Sequence, residues 1–226
     1  MTTSISTTSQ ISSTSVLKWE PATWEDYLRY RDDPNPEIVR LFFNGDSLFV
    51  DMGKEGINHA SVARLFAMLF FIWFNRFSDL TVSDLGGCLI EKPKKQAASP
   101  DLVLYIGEGV PQWETGKSRY IDLNKWRVPD LVGEISDTTL ASDLDEKKKI
   151  YADLEIPEYW VIDVLGKRVI VFRLQSNGIY QQIFQSVALN NLPIALLEET
   201  LHRLNEGTNI SAASWFGQQI ANLNVE

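Results

Sequence analysis

The spacing of apolar and polar residues predicts two helices and a hairpin before residue 80 and mainly strands after it. A short helix is expected over Trp24–Tyr30 and a long one over Asn58–Phe77, which is apolar around most of its circumference and therefore belongs in the core. Asn44 and Gly45, which tolerate the positive φ angles of tight hairpin turns, separate two β-prone runs and predict a hairpin. The two runs are Glu37–Phe43 and Ser47–Met52.

From residue 80 onward, apolar runs bounded by turn residues predict strands. The predicted strands are Cys88–Glu91, Leu102–Ile106, Arg119–Leu123, Val128–Ile135, Tyr159–Val164, Arg168–Leu174 and Tyr180–Val187. A helix over Asp143–Leu154 interrupts them, and two more are expected at Glu198–Leu204 and Ala213–Leu223. Helices flanking a mixed, strand-rich centre favour an α/β (α+β) fold.

Composition favours one soluble domain. Residues 1–17, mostly Ser and Thr, predict a disordered tail, and no Pro, Gly or Ser-rich linker divides residues 18–226, which we expect to form a single domain. The longest apolar run, Leu65–Phe74, is shorter than a membrane span, and no secretory signal is evident. The lone Cys88, expected as a small buried hydrophobe, fits a reducing compartment. These features predict a cytoplasmic protein with no membrane partner.

The formal net charge of −9 argues against sequence-independent binding to nucleic acid, because that binding needs Lys and Arg to neutralise phosphates. Any nucleic acid must therefore meet a local patch. Basic residues interleave with aromatic ones between residues 113 and 127, as expected of a nucleic-acid contact surface, although a solvated hairpin explains the same pattern. The basic residues are Lys117, Arg119, Lys125 and Arg127, and the aromatic ones are Trp113, Tyr120 and Trp126.

Two carboxylates stand where the pattern predicts burial. Asp101 follows Ser-Pro at the threshold of an apolar strand, and Glu134 lies inside the strand sequence Leu-Val-Gly-Glu-Ile. Burying an unpaired carboxylate costs several kcal/mol, so such residues normally have a cation or strong hydrogen bonds beside them. A shared metal ion would satisfy both, whereas for Asp101 alone a turn or capping role is an equal alternative.

Lys147 is the third candidate, and helical periodicity selects it from three adjacent lysines. The apolar residues of the predicted helix are Leu144, Ile150, Tyr151 and Leu154. At about 100° per residue, Lys147 falls near the centre of their arc, Lys148 lies roughly a quarter turn away, and Lys149 points to the opposite side. Lys147 is therefore well placed to reach Glu134. A buried structural salt bridge is the alternative interpretation of this set.

These residues and their neighbours resemble the Uma-two family of restriction-endonuclease-like bacterial proteins, within the PD-(D/E)XK nuclease superfamily. The resemblance covers roughly residues 22–190 and rests on Asp101 after Pro, Asp130-Leu-Val-Gly-Glu134, Lys147-x-x-x-Tyr151 and the Ile156–Asp163 segment. It implies a restriction-endonuclease-like core, a mixed β-sheet flanked by helices. It also implies that Asp101 is the motif aspartate and Glu134 the glutamate of the ExK element.

This chain departs from the superfamily pattern at Ser136, where a lysine is expected. The resemblance suggests a migrated lysine supplied by Lys147. Asp101, Glu134 and the backbone carbonyl of Ile135 would then bind Mg²⁺ or Mn²⁺, since hard oxygen ligands suit these ions. The resulting hypothesis is a metal-dependent DNA endonuclease in which Lys147 assists the attacking water.

Two residues are weaker candidates. Asp130 shares a strand face with Glu134 but also fits a cap after Pro129, and His59 fits a first-turn role in the long helix. The alternative function is a nuclease-fold module with weak or absent chemistry that binds DNA or protein, which the acidic balance and Ser136 favour. A homodimer is expected if both DNA strands are cut, because one centre cuts only one strand.

Overall fold

The computed structural model describes residues 18–34, 40–52, 55–77, 79–221 and 223, which form fourteen strands and six helices. The predicted tail at residues 1–17 lies outside the described residues. In chain order the elements are β1 (Glu20–Pro21), α1 (Trp24–Arg31), β2 (Arg40–Asn44), β3 (Ser47–Asp51), α2 (Ile57–Phe74), β4 (Val82–Asp84), β5 (Ile90–Lys92), β6 (Gln96–Ala98), β7 (Leu102–Ile106), β8 (Ile121–Asp122), β9 (Leu131–Ser136), α3 (Leu140–Leu144), α4 (Glu146–Asp153), β10 (Glu158–Asp163), β11 (Arg168–Leu174), β12 (Tyr180–Ile183), β13 (Gln185–Ser186), β14 (Leu192–Pro193), α5 (Ile194–Glu206) and α6 (Asn209–Ile220).

The described strands form two mixed six-stranded sheets and a short β13–β14 pair. The first sheet has the order β1-β3-β2-β6-β5-β8, and the second has the order β12-β11-β10-β9-β7-β4. In the second sheet β9 and β10 are parallel, whereas β7 pairs antiparallel with β9. The parallel pair requires a crossover connection, which α3 and α4 supply.

The second sheet separates two hydrophobic cores, because successive side chains of a strand point to opposite faces. In β10, Trp160 and Ile162 enter the core shared with α2, α5 and α6, whereas Tyr159 and Val161 enter the core shared with the first sheet and α4. All six residues of β10 are buried, as expected of a strand covered on both faces. The space between the two sheets is therefore the part of the fold in which a charged group needs a partner.

Helix α2 has 18 residues and a mean hydropathy of 1.5, so by length and composition alone it is long and apolar enough to cross a membrane. The helix extends beyond the ten-residue apolar run in the sequence, and run length therefore does not exclude a span. Core helices of soluble proteins have the same properties. Seven of its residues are buried in the fold, as predicted for a core helix: Val62, Leu65, Phe66, Leu69, Phe70, Trp73 and Phe74.

The mixed α/β (α+β) fold expected from the sequence is confirmed, as are several elements in detail. Thr23 caps α1 through a capping box, and Gly45 turns the β2–β3 hairpin with a φ of 68°. The strands Leu102–Ile106 and Arg168–Leu174 have the predicted bounds.

Several predicted elements differ in extent, among them Arg119–Leu123, which forms only the two-residue β8, and two are interrupted where the sequence predicts continuity. The helix expected over Asp143–Leu154 begins earlier and breaks at Asp145, because Asp143 is turned inward to bind other side chains instead of capping a helix start. The strand expected over Tyr180–Val187 divides into β12 and β13. The buried Ser186, in β13, donates its hydroxyl to Glu158 at 2.5 Å.

Candidate active site

The candidate residues lie between the two sheets, at the point where β7 begins. The register pairs Leu102 of β7 with Gly133 of β9, so Asp101, one residue before β7, stands opposite Glu134. Both side chains share the sheet face of Val132, which lies in the core between the sheets. Strand pairing therefore brings the two carboxylates together although they lie 33 positions apart along the chain.

Asp101 is held by three groups. Its Oδ2 accepts a hydrogen bond from Ile135 N at 2.7 Å, and its Oδ1 lies 2.8 Å from Arg40 Nη2 and 3.1 Å from His59 Nε2. Burial by itself would raise the pKa of Asp101, but the contact with His59 and the charge of Arg40 hold that pKa below its ordinary value. Asp101 is therefore an ionised carboxylate at neutral pH.

Glu134 is almost fully buried, with 1% of its side chain exposed. Its Oε2 lies 3.1 Å from Lys147 Nζ and 3.1 Å from Arg40 Nη2, and its Oε1 accepts a hydrogen bond from the Tyr151 hydroxyl. Burial raises the pKa of Glu134 to about 7, even though the charges of Lys147 and Arg40 act in the opposite direction. The carboxyl of Glu134 is therefore only partly ionised at neutral pH.

Lys147 enters the cluster from α4, as the helical arc predicts. Its side chain is 2% exposed, whereas that of Lys149 is 63% exposed. Its Nζ also lies 2.8 Å from Asp143 Oδ1 and 4.0 Å from the centre of the Phe42 ring. Burial would lower the pKa of Lys147, but the charges of Glu134 and Asp143 raise it above its ordinary value. Lys147 is therefore a positively charged ammonium group.

Asp143 is a site residue that the sequence analysis did not identify. It is fully buried, and its Oδ2 accepts hydrogen bonds from the hydroxyls of Ser136 and Thr139, the latter at 2.7 Å. Ser136 lies two residues after Glu134 on the same strand, β9. Asp143 thus connects that position to Lys147, whose ammonium group reaches Glu134 from the following helix. The inward turn of Asp143 was not predicted, because the sequence marks it only as the first residue of the predicted helix Asp143–Leu154.

Arg40 is the second residue that the sequence analysis missed. It lies on β2, and its Nη2 contacts one oxygen of Asp101, one oxygen of Glu134 and, at 3.0 Å, the carbonyl of Ser99. Its side chain is 26% exposed, more than those of the two carboxylates that it contacts. One signal could have found it: Arg40 shares a strand face with Phe42, which is fully buried.

The weaker candidates divide between the cluster and the surface. His59 joins the cluster, with its Nδ1 3.1 Å from Glu55 and its Nε2 on Asp101. Burial would lower the pKa of His59, but its bonds with Asp101 and Glu55 raise it. The structure does not bring Asp130 to the cluster, because its Oδ2 accepts from Ile106 N at 2.7 Å and from Arg127 Nη1 at 2.8 Å. Four strand residues, or about 13 Å, separate it from Glu134.

The basic residues between 117 and 127 also separate into two groups. Arg127 pairs with Asp130 and donates to the Ile106 carbonyl at 2.9 Å, so it stabilises the end of β7. Lys117, Arg119 and Lys125 instead line a surface cavity.

Carboxylates on adjacent strands of a mixed sheet, with a lysine from the following helix, define a restriction-endonuclease-like core. Residues 24–207 match the model of the Uma2 family, described as "Putative restriction endonuclease", and the chain belongs to that family. The resemblance noted in the sequence is thereby confirmed. A solved structure described as "a putative nuclease belonging to DUF820", from Anabaena variabilis, is similar at 18% identity and a TM-score of 0.49, covering 87% of this chain and 99% of that chain. Among curated proteins, no match to this chain is found.

Lys147→Ala is expected to destabilise the fold by about 3–5 kcal/mol, because it leaves Glu134 and Asp143 buried without their shared cation. Lys149→Ala is the matched control on the same helix. Its partner Asp145 is exposed, so the free energy of unfolding should change far less than in Lys147→Ala. Urea unfolding of both variants measures the difference, and equal losses would contradict the central position of Lys147.

Glu134→Gln is expected to change how stability depends on pH. The native pKa of about 7 lies above the ordinary value of 4.5, so the native state binds this proton more tightly than the unfolded state. The wild-type free energy of unfolding should therefore fall, relative to that of the variant, as pH rises from about 4.5 to about 7, and should then level off. Urea unfolding at several pH values measures this difference. A constant difference across the window would be incompatible with the raised pKa.

Proposed function

We propose that this protein is an endonuclease that hydrolyses DNA phosphodiester bonds with a divalent cation bound by Asp101 and Glu134. The observation that carries the proposal is the convergence of these two carboxylates on one point. A single nitrogen, Arg40 Nη2, lies 2.8 Å from an oxygen of Asp101 and 3.1 Å from an oxygen of Glu134. An ammonium group, Lys147, borders the same place. Membership in a restriction endonuclease family supports nucleic acid as the substrate.

The donor set fits Mg²⁺ or Mn²⁺. In the described ranges, no cluster of three or more His, Cys, Asp or Glu side chains is arranged to hold a metal. The side-chain ligands would therefore be Asp101 and Glu134 alone, and the Ile135 carbonyl would be the third protein ligand. That carbonyl faces the same neighbouring strand as Ile135 N, which binds Asp101. Mg²⁺ sites commonly use one or two carboxylates and keep several waters.

When bound there, a divalent ion polarises a phosphodiester oxygen and lowers the pKa of a bound water. The residues of the chain orient and stabilise. Ile135 N and His59 fix the Asp101 carboxylate, and Tyr151 fixes that of Glu134. Because its neighbours raise the pKa of Lys147, this residue remains protonated and stabilises negative charge growing on the phosphate, rather than acting as a base.

Arg40 favours a second candidate function, a nuclease-fold module that binds nucleic acid with weak or absent chemistry. Its guanidinium already compensates the two carboxylates, so the cluster is stable without a metal ion. Arg40 must leave both oxygens before a divalent ion can bind them. Its partial exposure provides the room to do so, which is why we place catalysis first.

Two further properties belong to this proposal. A cut through both DNA strands needs two centres, so we propose a homodimer for double-strand cleavage. We also propose a cytoplasmic location, where DNA and Mg²⁺ are both accessible.

The wild-type chain with Mg²⁺ or Mn²⁺ should nick supercoiled circular DNA, and Asp101→Asn and Glu134→Gln should each lower the rate at least ~100-fold. Asp130→Asn is the matched control, because this aspartate is also held by an arginine and a backbone amide but lies outside the cluster. It should retain the wild-type rate within about threefold. Gel assays of cleavage, together with Mn²⁺ binding measured by calorimetry, test the proposal. A wild-type protein that neither binds Mn²⁺ nor cuts DNA would remove it.

Arg40→Gln should bind Mn²⁺ at least about tenfold more tightly than the wild type in the absence of DNA. The substitution removes a positive charge that contacts the same two oxygens, and such charges interact by several kcal/mol at about 4 Å near a protein surface. Arg31→Gln is the control, because it breaks a comparable pair with the buried Glu91 away from the site. Paramagnetic resonance of free Mn²⁺ during titration measures both. Unchanged affinity in Arg40→Gln would mean that Arg40 does not occupy the cation position.

A further inference from the structure

A cavity of about 330 Å³ opens beside β8, the edge strand of the first sheet, and the predicted basic and aromatic residues other than Arg127 line it. We call it the indole pocket, defined by Trp113, Lys117, Arg119, Tyr120, Lys125 and Trp126. Its volume lies at the lower end of the range for ligand sites, about 300–1,000 Å³. It is large enough for one flat aromatic group and too small for a duplex.

Trp113 offers an aromatic face to a ligand. Its side chain is 56% exposed, and its Nε1 donates to the Lys117 carbonyl at 3.1 Å, which restrains the ring. The Arg119 guanidinium lies 5.7 Å from the ring centre. An exposed indole beside an arginine is the combination on which unpaired bases stack in single-strand binding proteins.

The charges around the indole pocket suit a phosphate. Lys125 lies 3.5 Å from Asp122, but no ion pair joins Lys117 or Arg119 to an acidic side chain within the part of the chain that the structure describes. Glu114 and Asp122 also line the pocket, so its three cations exceed its acidic side chains by one, and in a protein with a formal net charge of −9 such a concave surface is a place where a phosphate backbone can approach.

The indole pocket adjoins the strand that carries the candidate active site. Its wall includes Leu85 and Cys88, which pack against the core between the two sheets. The loop that contains them is bound to the chain on both sides of Asp101, through Leu85 N to the Val103 carbonyl at 2.8 Å and Gly87 N to the Pro100 carbonyl at 2.9 Å. One loop therefore connects the wall of this cavity to the chain on either side of Asp101.

We propose that the indole pocket binds an unstacked nucleobase of a single-stranded segment next to the cleaved phosphodiester. The base stacks on Trp113, and the adjacent phosphates contact Lys117 and Arg119. A base inside a duplex does not expose its face, so the pocket selects single strands, ends or distorted duplexes. This inference rests on the proposed function for its position next to the cleaved bond, but binding can be tested without cleavage.

The test uses the full chain in EDTA, where no metal-dependent cleavage occurs, and fluorescently labelled 12-nucleotide single strands of DNA and of RNA. Trp113→Ala should weaken binding about 5- to 100-fold, the range for losing one base–aromatic stack. Trp113→Phe should retain affinity within about threefold. Phe184→Ala is the matched control, because Phe184 is 75% exposed and does not line the pocket. Arg119→Ala should reduce the salt dependence by about one phosphate contact.

An abasic site moved along the strand adds a second measurement. At one position, the abasic site should weaken binding to the wild type as much as Trp113→Ala does. At the same position, it should not weaken binding to the Trp113→Ala variant any further. Equal binding of all strands by the wild type and Trp113→Ala would overturn the inference, as would an equal loss for an intact duplex. The DNA and RNA arms show which sugar the pocket accepts. If base-dependent binding persists in Glu134→Gln, the pocket proposal is supported even if cleavage is never found. If the protein cleaves DNA but its binding does not depend on Trp113, the pocket proposal is contradicted and the proposed nuclease function is not.

Discussion

The compensation of buried charge between the two sheets is the constraint on which this structure depends. Three carboxylates meet there, Asp101, Glu134 and Asp143, against two permanently charged cations, Arg40 and Lys147. Burial raises the pKa of Glu134 to about 7, and the contacts with Asp101 and Glu55 raise the pKa of His59 against the effect of its own burial. Each charged group in this poorly solvated space therefore depends on an oppositely charged partner beside it.

The fold explains why the carboxylates of Asp101 and Glu134 lie close together. The antiparallel register of β7 and β9 sets Asp101 opposite Glu134, and the first sheet covers the face on which both stand. A side chain on a covered strand has no route to water, so each acid must find its partner within a few ångströms. Arg40 comes from the first sheet and Lys147 from the crossover helix. The cluster therefore connects both sheets and α4, and its pairing supports the packing of these layers.

Ser136 links the strand that carries Glu134 to the helix that carries Lys147. Ser136 stands on the same face as Glu134, where a lysine side chain would point directly at the carboxylate. Here the serine hydroxyl binds Asp143, and Asp143 binds Lys147. The ammonium group thus approaches Glu134 from the helix, held by a carboxylate four residues earlier. The break between α3 and α4 at Asp145 accompanies this arrangement, with Asp143 on one side of it and Lys147 on the other.

The sequence by itself determined the elements and the faces of residues within them. Alternation and turn chemistry placed β7 and β11, and helical periodicity distinguished Lys147 from Lys148 and Lys149, because a residue's direction within its own element depends on local spacing alone. Only the tertiary structure decided that Arg40 bridges the two carboxylates and that Asp143 holds Lys147. Arg40 and Glu134 are 94 residues apart, and their contact depends on how two sheets face each other. No periodicity along one segment encodes that relation, since the energy that fixes it comes from packing and charge pairing between segments.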